Sequence, residues 1–480
     1  MKYELIIFLA IILFLNGCVT ESDKFEKDQF STGCEYLNPP CNDSEECINN
    51  ACILKLDDNN GLSSQTYSPN DSTGQVENTK GMKIVFEDDS FSFEFLRAIT
   101  GTDIGEGIMT ARRIKDGDFE SWYSEWYATA SRVHAIADDA FLKGHNVSAK
   151  EAYLRASNYY RTAEFYLHGN PSDPRIRETA NKSRECFSKA IELSPLYIEA
   201  VEIPYENTTL PGYFYSVDNS NEPRATIIIQ TGYDGTQEEL YLEAVGANER
   251  GYNALTFEGP GQGRVIREQD LPFRADWENV ITPVIDYLVS RPDVKKDRIA
   301  LYGISLGGYF APRAAASEHR IAALIANGGV FDPIEPTLAN MKISSREELA
   351  VIIAENPEHL NAQVRKLMNV STSLRWFFDQ GMYTFKADTP SEFLSKYSQL
   401  TMNGLAEMIT CPTLVIDSEN DHMLSGQPEK LYNNLKCEKT FILFKAEEGA
   451  GEHCQEGAIS LSNQRIFDWL DETFAEMDGS

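Results

Sequence analysis

The chain has 480 residues, 42% hydrophobic and 24% charged, a globular balance with length for one large domain and appendages or for about two to three domains. Its 74 acidic against 43 basic residues give a net charge of −31 at pH 7. Phosphate is repelled over most of such a surface, so nucleic acid is excluded as an expected partner; the acidic excess reads as a solubility device.

Lys2 precedes an apolar run from Leu5 to Leu15. The run is shorter than the roughly 20 residues a spanning helix needs, so residues 1–18 read as an export signal. Leu15-Asn16-Gly17-Cys18 has the form of a lipobox, in which Cys18 is acylated and becomes the new N-terminus. Asn16 departs from the small residue usual at its place, and plain secretion is the alternative. The expected location is outside the cytoplasm, on a membrane through the lipid anchor; firm attachment takes two or more acyl chains.

Cys34, Cys41, Cys47 and Cys52 crowd into residues 19–56. In an exported chain they read as two disulfides whose pairing is open among three arrangements, and no histidine nearby supports a zinc site instead. Residues 57–82 are rich in Ser, Asn, Asp, Gly and Thr and read as a flexible tether. Sequons at Asn42, Asn70, Asn146, Asn181, Asn207 and Asn369 permit glycosylation.

Residues 83–197 carry helical periodicity. Trp122, Trp126, Val133 and Ile136 mark a helix over 121–140. Ser148-Ala149-Lys150-Glu151 reads as a capping box before a stripe of Ala152, Ala156, Tyr159, Ala163 and Tyr166. Pro171 and Pro174 precede a third helix over 175–193. The aromatics read as core, and the segment is expected to cap the domain that follows. No sustained repeat period appears.

From residue 198 onward strand signals fall at 198–204, 212–217, 225–230, 253–257, 298–302, 321–327, 412–416 and 440–444. Helical stretches between most of them predict a mostly parallel sheet covered on both faces. After the third strand, Thr231-Gly232-Tyr233-Asp234-Gly235 is a turn in which Gly232 lets backbone approach a ligand. After the fourth, Glu258-Gly259-Pro260-Gly261-Gln262-Gly263 lacks the Lys-Ser/Thr of a phosphate loop and the spacing of a dinucleotide fingerprint, so it reads as a tight turn beside the pocket.

The fifth strand leads into Gly303-Ile304-Ser305-Leu306-Gly307-Gly308 and then a helix, the strand–turn–helix context of a nucleophile elbow. The N–H groups of Tyr233 and Leu306 are the predicted oxyanion donors. Residues 331–408 form an insertion with helical stretches at 345–353, 359–368 and 390–397, read as a lid. Its Trp376, Phe377, Phe378 and Tyr383 read as anchors rather than pocket lining, and Glu335 is a candidate substrate contact.

After the seventh strand Asp417, Glu419 and Asp421 compete as the acid; Asp421 lies farthest along the loop and is preferred. His453 follows the last strand on a glycine-softened loop. The order Ser305, Asp421, His453 fits a Ser–acid–His triad. Cys454 reads as packing, and Cys411 with Cys437, at the starts of adjacent strands, is a candidate disulfide.

These motifs, together with Trp122 to Trp126, Ser148 to Tyr153 and Gly449-Ala450-Gly451-Glu452-His453-Cys454, resemble one group of α/β hydrolases that carry a helical domain. The group includes the 2,6-dihydroxypseudooxynicotine hydrolase type, fungal polyketide-shortening hydrolases and dipeptidyl aminopeptidase/acylaminoacyl-peptidase-like proteins. Glu258 stands where Asp is commoner and Thr231 where Gly is commoner. The resemblance implies an α/β-hydrolase fold over 198–480, an N-terminal helical cap, the triad named above, and neither metal nor organic cofactor.

Members cleave esters, amides or carbon–carbon bonds beside ketones. A small-molecule substrate is therefore expected, with ester or amide hydrolysis first and carbon–carbon cleavage second. A non-catalytic surface binding lipoprotein is a third reading, and a homodimer is a candidate assembly.

Overall fold

Apolar runs rich in Ile, Val and Leu pair into an eight-stranded sheet. The strands are β1 (Tyr197–Tyr205), β2 (Thr208–Ser216), β3 (Arg224–Gln230), β4 (Asn253–Phe257), β5 (Val294–Ile304), β6 (Ala323–Asn327), β7 (Thr413–Ser418) and β8 (Lys439–Phe444). Their spatial order is β8-β7-β6-β5-β3-β4-β2-β1. Strands β3 to β8 are mutually parallel, and β1 and β2 form an antiparallel hairpin laid beside β4. This is a computed structural model, and it describes residues 45–48, 51–54 and 86–479.

A helical segment precedes the sheet: α1 (Asp89–Ile99), α2 (Ile104–Ala111), α3 (Phe119–Leu142), α4 (Asn146–Glu164) and α5 (Pro174–Glu192). The Asp118 carboxylate starts α3 by accepting from the N–H groups of Glu120 and Ser121, both at 3.0 Å. Trp122, Trp126, Tyr159, Ala156 and Ala163 are buried together, so the predicted aromatic stripe is core. The predicted capping box is not the start of α4. That helix begins at Asn146, because Gly144 at φ 75° turns the chain directly out of α3 and leaves Ser148 inside the first turn.

Helices α6 (Tyr241–Asn248), α7 (Glu278–Ser290) and α8 (Gly307–Ala315) lie between strands. The insertion contributes α9 (Ile334–Met341), α10 (Arg346–Glu355), α11 (Pro357–Met368), α12 (Thr372–Thr384) and α13 (Pro390–Tyr397). Helices α14 (Gln427–Asn434) and α15 (Ile459–Gly479) complete the chain. Alternation along β3 sorts the two faces. Ile227 and Ile229 join the core with α6 and α15, while Ile228 joins the core with α7 and α8. Strand β3 is therefore buried on both sides, and its carboxyl end opens where the loops gather.

The insertion is anchored by the residues expected to do so. The Trp376 ring stacks on Phe165 at 5.4 Å, Phe377 on Tyr233 at 5.7 Å, and Tyr383 on His168 at 4.5 Å. The expected disulfide fails as well. Among the described residues Cys186, Cys411, Cys437 and Cys454 are all free thiols, so Cys411 and Cys437 form no bridge. Although they enter parallel neighbours, Cys437 Sγ turns to the Thr413 hydroxyl, 3.5 Å away.

Residues Glu45–Ile48 and Ala51–Leu54 form a separate antiparallel hairpin in which Cys47 faces Cys52 in backbone register. The side chains of Cys34, Cys41, Cys47 and Cys52, the lipobox with Cys18 and the tether lie outside the described residues. Among the described residues no helix is long and apolar enough to cross a membrane.

Candidate active site

Strand β5 ends at Ile304 and α8 begins at Gly307, so the chain reverses within Ser305 and Leu306. Ser305 sits at φ 61°, in the left-handed region that costs a side-chain-bearing residue about 1–3 kcal/mol. Its N–H donates to the Asn327 carbonyl at 3.0 Å, and its own carbonyl accepts from Gly308 at 2.7 Å. A Cβ on Gly303 would lie 2.0 Å from the Gly307 carbonyl oxygen, which leaves glycine alone able to fill the turn.

The same closeness creates a donor pair. A Cβ on Gly232 would lie 2.5 Å from the Leu306 nitrogen, so the missing side chain is what leaves that N–H open. Among the described residues, no acceptor bonds the N–H of Tyr233 or of Leu306. These are the two N–H groups expected as oxyanion donors. The loop carrying Tyr233 is held from three sides. Gln262 Nε2 donates to the carbonyls of Thr231 and Gly232 at 2.8 and 3.1 Å, Gln380 Nε2 donates to the Tyr233 carbonyl at 2.9 Å, and the Tyr233 hydroxyl donates to the Phe377 carbonyl at 2.7 Å.

The structure brings Ser305, His453 and Asp421 together. His453 Nε2 is 2.8 Å from Ser305 Oγ, and its Nδ1 is 2.6 Å from Asp421 Oδ2. The other Asp421 oxygen accepts from the N–H groups of Met423 and Leu424 at 2.9 and 3.1 Å. The two competing carboxylates are engaged elsewhere: Glu419 is a turn residue as expected, whereas Asp417 lies within β7, paired with Leu443 of β8. Asp417 accepts from the Ser418 N–H at 2.9 Å, and Glu419 binds the Ala446 N–H at 2.9 Å and Lys445 at 3.2 Å.

Burial alone would push the His453 imidazole down, but the Asp421 carboxylate, with Cys454 beside it, holds it well above its usual value of 6.5. Burial would likewise push Asp421 up, yet the His453 charge and the three hydrogen bonds hold it below the usual carboxylate range. The ring is thus oriented and electrostatically supported for taking a proton from the Ser305 hydroxyl.

Residues the sequence reading passed over complete the site. Gln455, fully buried at φ 58°, donates to Asn327 Oδ1 and Ser418 Oγ, both at 3.0 Å, tying the His453 loop to β6 and β7. The Phe93 ring on α1 meets the His453 ring edge-on at 5.9 Å. One turn along, Arg97 binds Asp234 of the Tyr233 loop at 3.0 Å, pairs with Glu239, and lies 3.8 Å from Glu456 past His453. Nearby Glu94 is fully buried; burial pushes its carboxyl up to about 7 although Arg161 and Arg97 pull it down. Phe93, Glu94 and Arg97 share one short helix on which charged residues interrupt an apolar run, a pattern that could have marked them. Glu335 is placed elsewhere: its carboxylate pairs with Lys430 and accepts from Gln427 Nε2 at 3.2 Å, with no contact to the triad.

Residues 115–374 match the esterase FrsA-like family. Hydrolase LUC6 of Fusarium sp. is 35% identical over 415 residues, which covers 82% of this chain and 98% of that protein. The 20-hydroxy-prefusarin hydrolase FUS2 of Gibberella moniliformis is likewise 35% identical, covering 82% and 99%. The chain belongs to the esterase FrsA-like family of α/β hydrolases. It is a hydrolase.

Solved structures show the fold of this FrsA-like chain. The 2,6-dihydroxy-pseudo-oxynicotine hydrolase superposes with a TM-score of 0.62 at 23% identity, covering 78% of this chain and 94% of its own. AbyA5 superposes at 0.54 and 15% identity, covering 80% and 99%. The fold they share with this chain is in line with the resemblance that the elbow and glycine motifs suggested.

Proposed function

We propose that the protein is a serine hydrolase that cleaves a small ester or amide through an acyl-enzyme. One observation carries this reading: the Ser305 hydroxyl, on a strained elbow, lies 2.8 Å from an imidazole whose far nitrogen is on a buried carboxylate. His453 takes the Ser305 proton as Oγ attacks the carbonyl carbon. Asp421 holds the ring and its positive charge, and the Tyr233 and Leu306 N–H groups receive the oxyanion. His453 then protonates the leaving alkoxide or amine, and the same base activates water to release the acid and regenerate Ser305.

The test is turnover of an aryl ester, a dipeptide amide and a β-diketone by the purified chain. Burst kinetics with the ester or amide supports the proposal. Turnover of the diketone alone would replace it with carbon–carbon hydrolysis.

The proposal includes export and attachment to a membrane by acylation of Cys18, on the strength of the lipobox. Partitioning into a detergent phase must then be lost in Cys18→Ser; equal partitioning would contradict the anchor.

A further inference from the structure

A polar cleft, partly open to solvent and with a cavity volume of about 30 Å³, lies where α4 and α5 meet the turns after β3 and β4. Its guanidinium groups come from Arg161, Arg177, Arg184, Arg264 and Arg267. In a chain of net charge −31 the five guanidinium groups here outnumber the four carboxylates that line the same cleft. Glu164, Glu238, Glu258 and Glu268 face them, and each is already engaged.

Glu164 takes a bidentate pair from Arg267 at 2.9 and 2.7 Å, and Glu268 bridges Arg184 and Arg264 at 2.7 and 2.8 Å. Glu258 receives the N–H groups of Gln237 and Arg264 at 3.2 and 2.6 Å, and Glu238 receives the Tyr213 hydroxyl at 3.3 Å. Burial pushes Glu258 up to about 8 and shifts Glu238 upward as well, which weakens the negative charge they set against the guanidinium groups.

The cations keep unused donors. Arg161 is 5% exposed; its Nε and Nη1 bind Glu239 and Glu94, and its Nη2 is buried without a partner. Arg177 binds only the Arg267 carbonyl, through Nη2 at 2.7 Å. Arg264 uses Nε and Nη1 on Glu268 and Glu202. A buried guanidinium edge with no acceptor is costly to leave unmet, and planar oxyanions match its geometry.

We propose that this cleft binds an oxyanion, a phosphate or a carboxylate, and that the bound anion ties the helical segment to the sheet. The contributing residues support this: Arg161 and Arg177 come from α4 and α5, whereas Arg264 follows β4.

The test uses the full-length chain carrying Ser305→Ala, so that binding is read apart from catalysis. Inorganic phosphate and succinate are titrated by calorimetry and thermal shift, with chloride holding ionic strength constant. Saturable binding of either, with a rise in Tm, supports the site, and the tighter of the two identifies the anion class. Arg177→Ala with Arg264→Ala should weaken that binding about ten-fold or more, while circular dichroism stays unchanged. Absence of saturable binding of both anions, or equal affinity in the double variant, would overturn the proposal. Arg161 is left intact in the test because its pairing with Glu94 and Glu239 supports the fold.

Discussion

The elbow and the seam beneath α1 both position the site, but by different physics. At the elbow, position is set by backbone contact: Gly303, Gly232 and Gly307 stand where a single Cβ would meet main-chain atoms at 2.0 to 2.9 Å. At the seam, position is set by long side chains reaching across the chain, with Arg97 joined to Asp234 and Glu239 and Arg161 joined to Glu94 and Glu239. Backbone contact tolerates no substitution and holds each atom within a fraction of an ångström. A charge network tolerates adjustment and distributes its effect over several partners. The difference implies that damage to the elbow falls on chemistry, and damage to the seam falls first on stability.

The largest expected effect is at the nucleophile. Ser305→Ala should lower kcat by roughly 10⁴ to 10⁶ with Tm little changed, measured by ester turnover and calorimetry. Gly232→Ala should come next. Its methyl group would press on the Leu306 N–H, and loss of an oxyanion donor costs about 10² to 10³ in kcat. The KM should move far less than kcat.

Arg97→Ala sharpens the contrast from the other side. It leaves Asp234, Glu239 and Glu456 without their shared cation, and breaking such a buried pair costs about 3–5 kcal/mol. A marked fall in Tm with a loss of kcat nearer ten-fold is the expected result. A Tm unchanged with kcat abolished would place Arg97 with the elbow instead.

Much of this arrangement was legible in the residues because its cause is local. Strand periodicity placed β1 to β8 within a few residues, and β4 was predicted at its observed bounds, Asn253–Phe257. Glycine spacing marked the elbow because only glycine fits there. Loop order after β7 and β8 was enough to prefer Asp421 and His453, which the structure brings into contact.

What escaped depends on contacts between distant segments. Phe93, Arg97 and Gln455 acquire their roles only when α1 and the His453 loop are folded onto the sheet. Helix α12 was passed over because its aromatics gave an anchoring signal without a clear period. Cys411 and Cys437 show the converse: neighbouring strand starts suggested a bridge, but a side-chain turn toward Thr413 leaves both thiols free.

The central claim is that Ser305 is activated by an imidazole resting on Asp421. Its most direct test is the rate of fluorophosphonate labelling as a function of pH, with the adduct located by peptide mapping. Attack requires neutral His453, and Asp421 raises the value at which the ring loses its proton. Labelling should therefore fall on Ser305 and rise with pH through an inflection above 6.5, which Asp421→Asn should move downward. An adduct on another residue, or a Ser305 labelling rate indifferent to both pH and Asp421, would contradict the account.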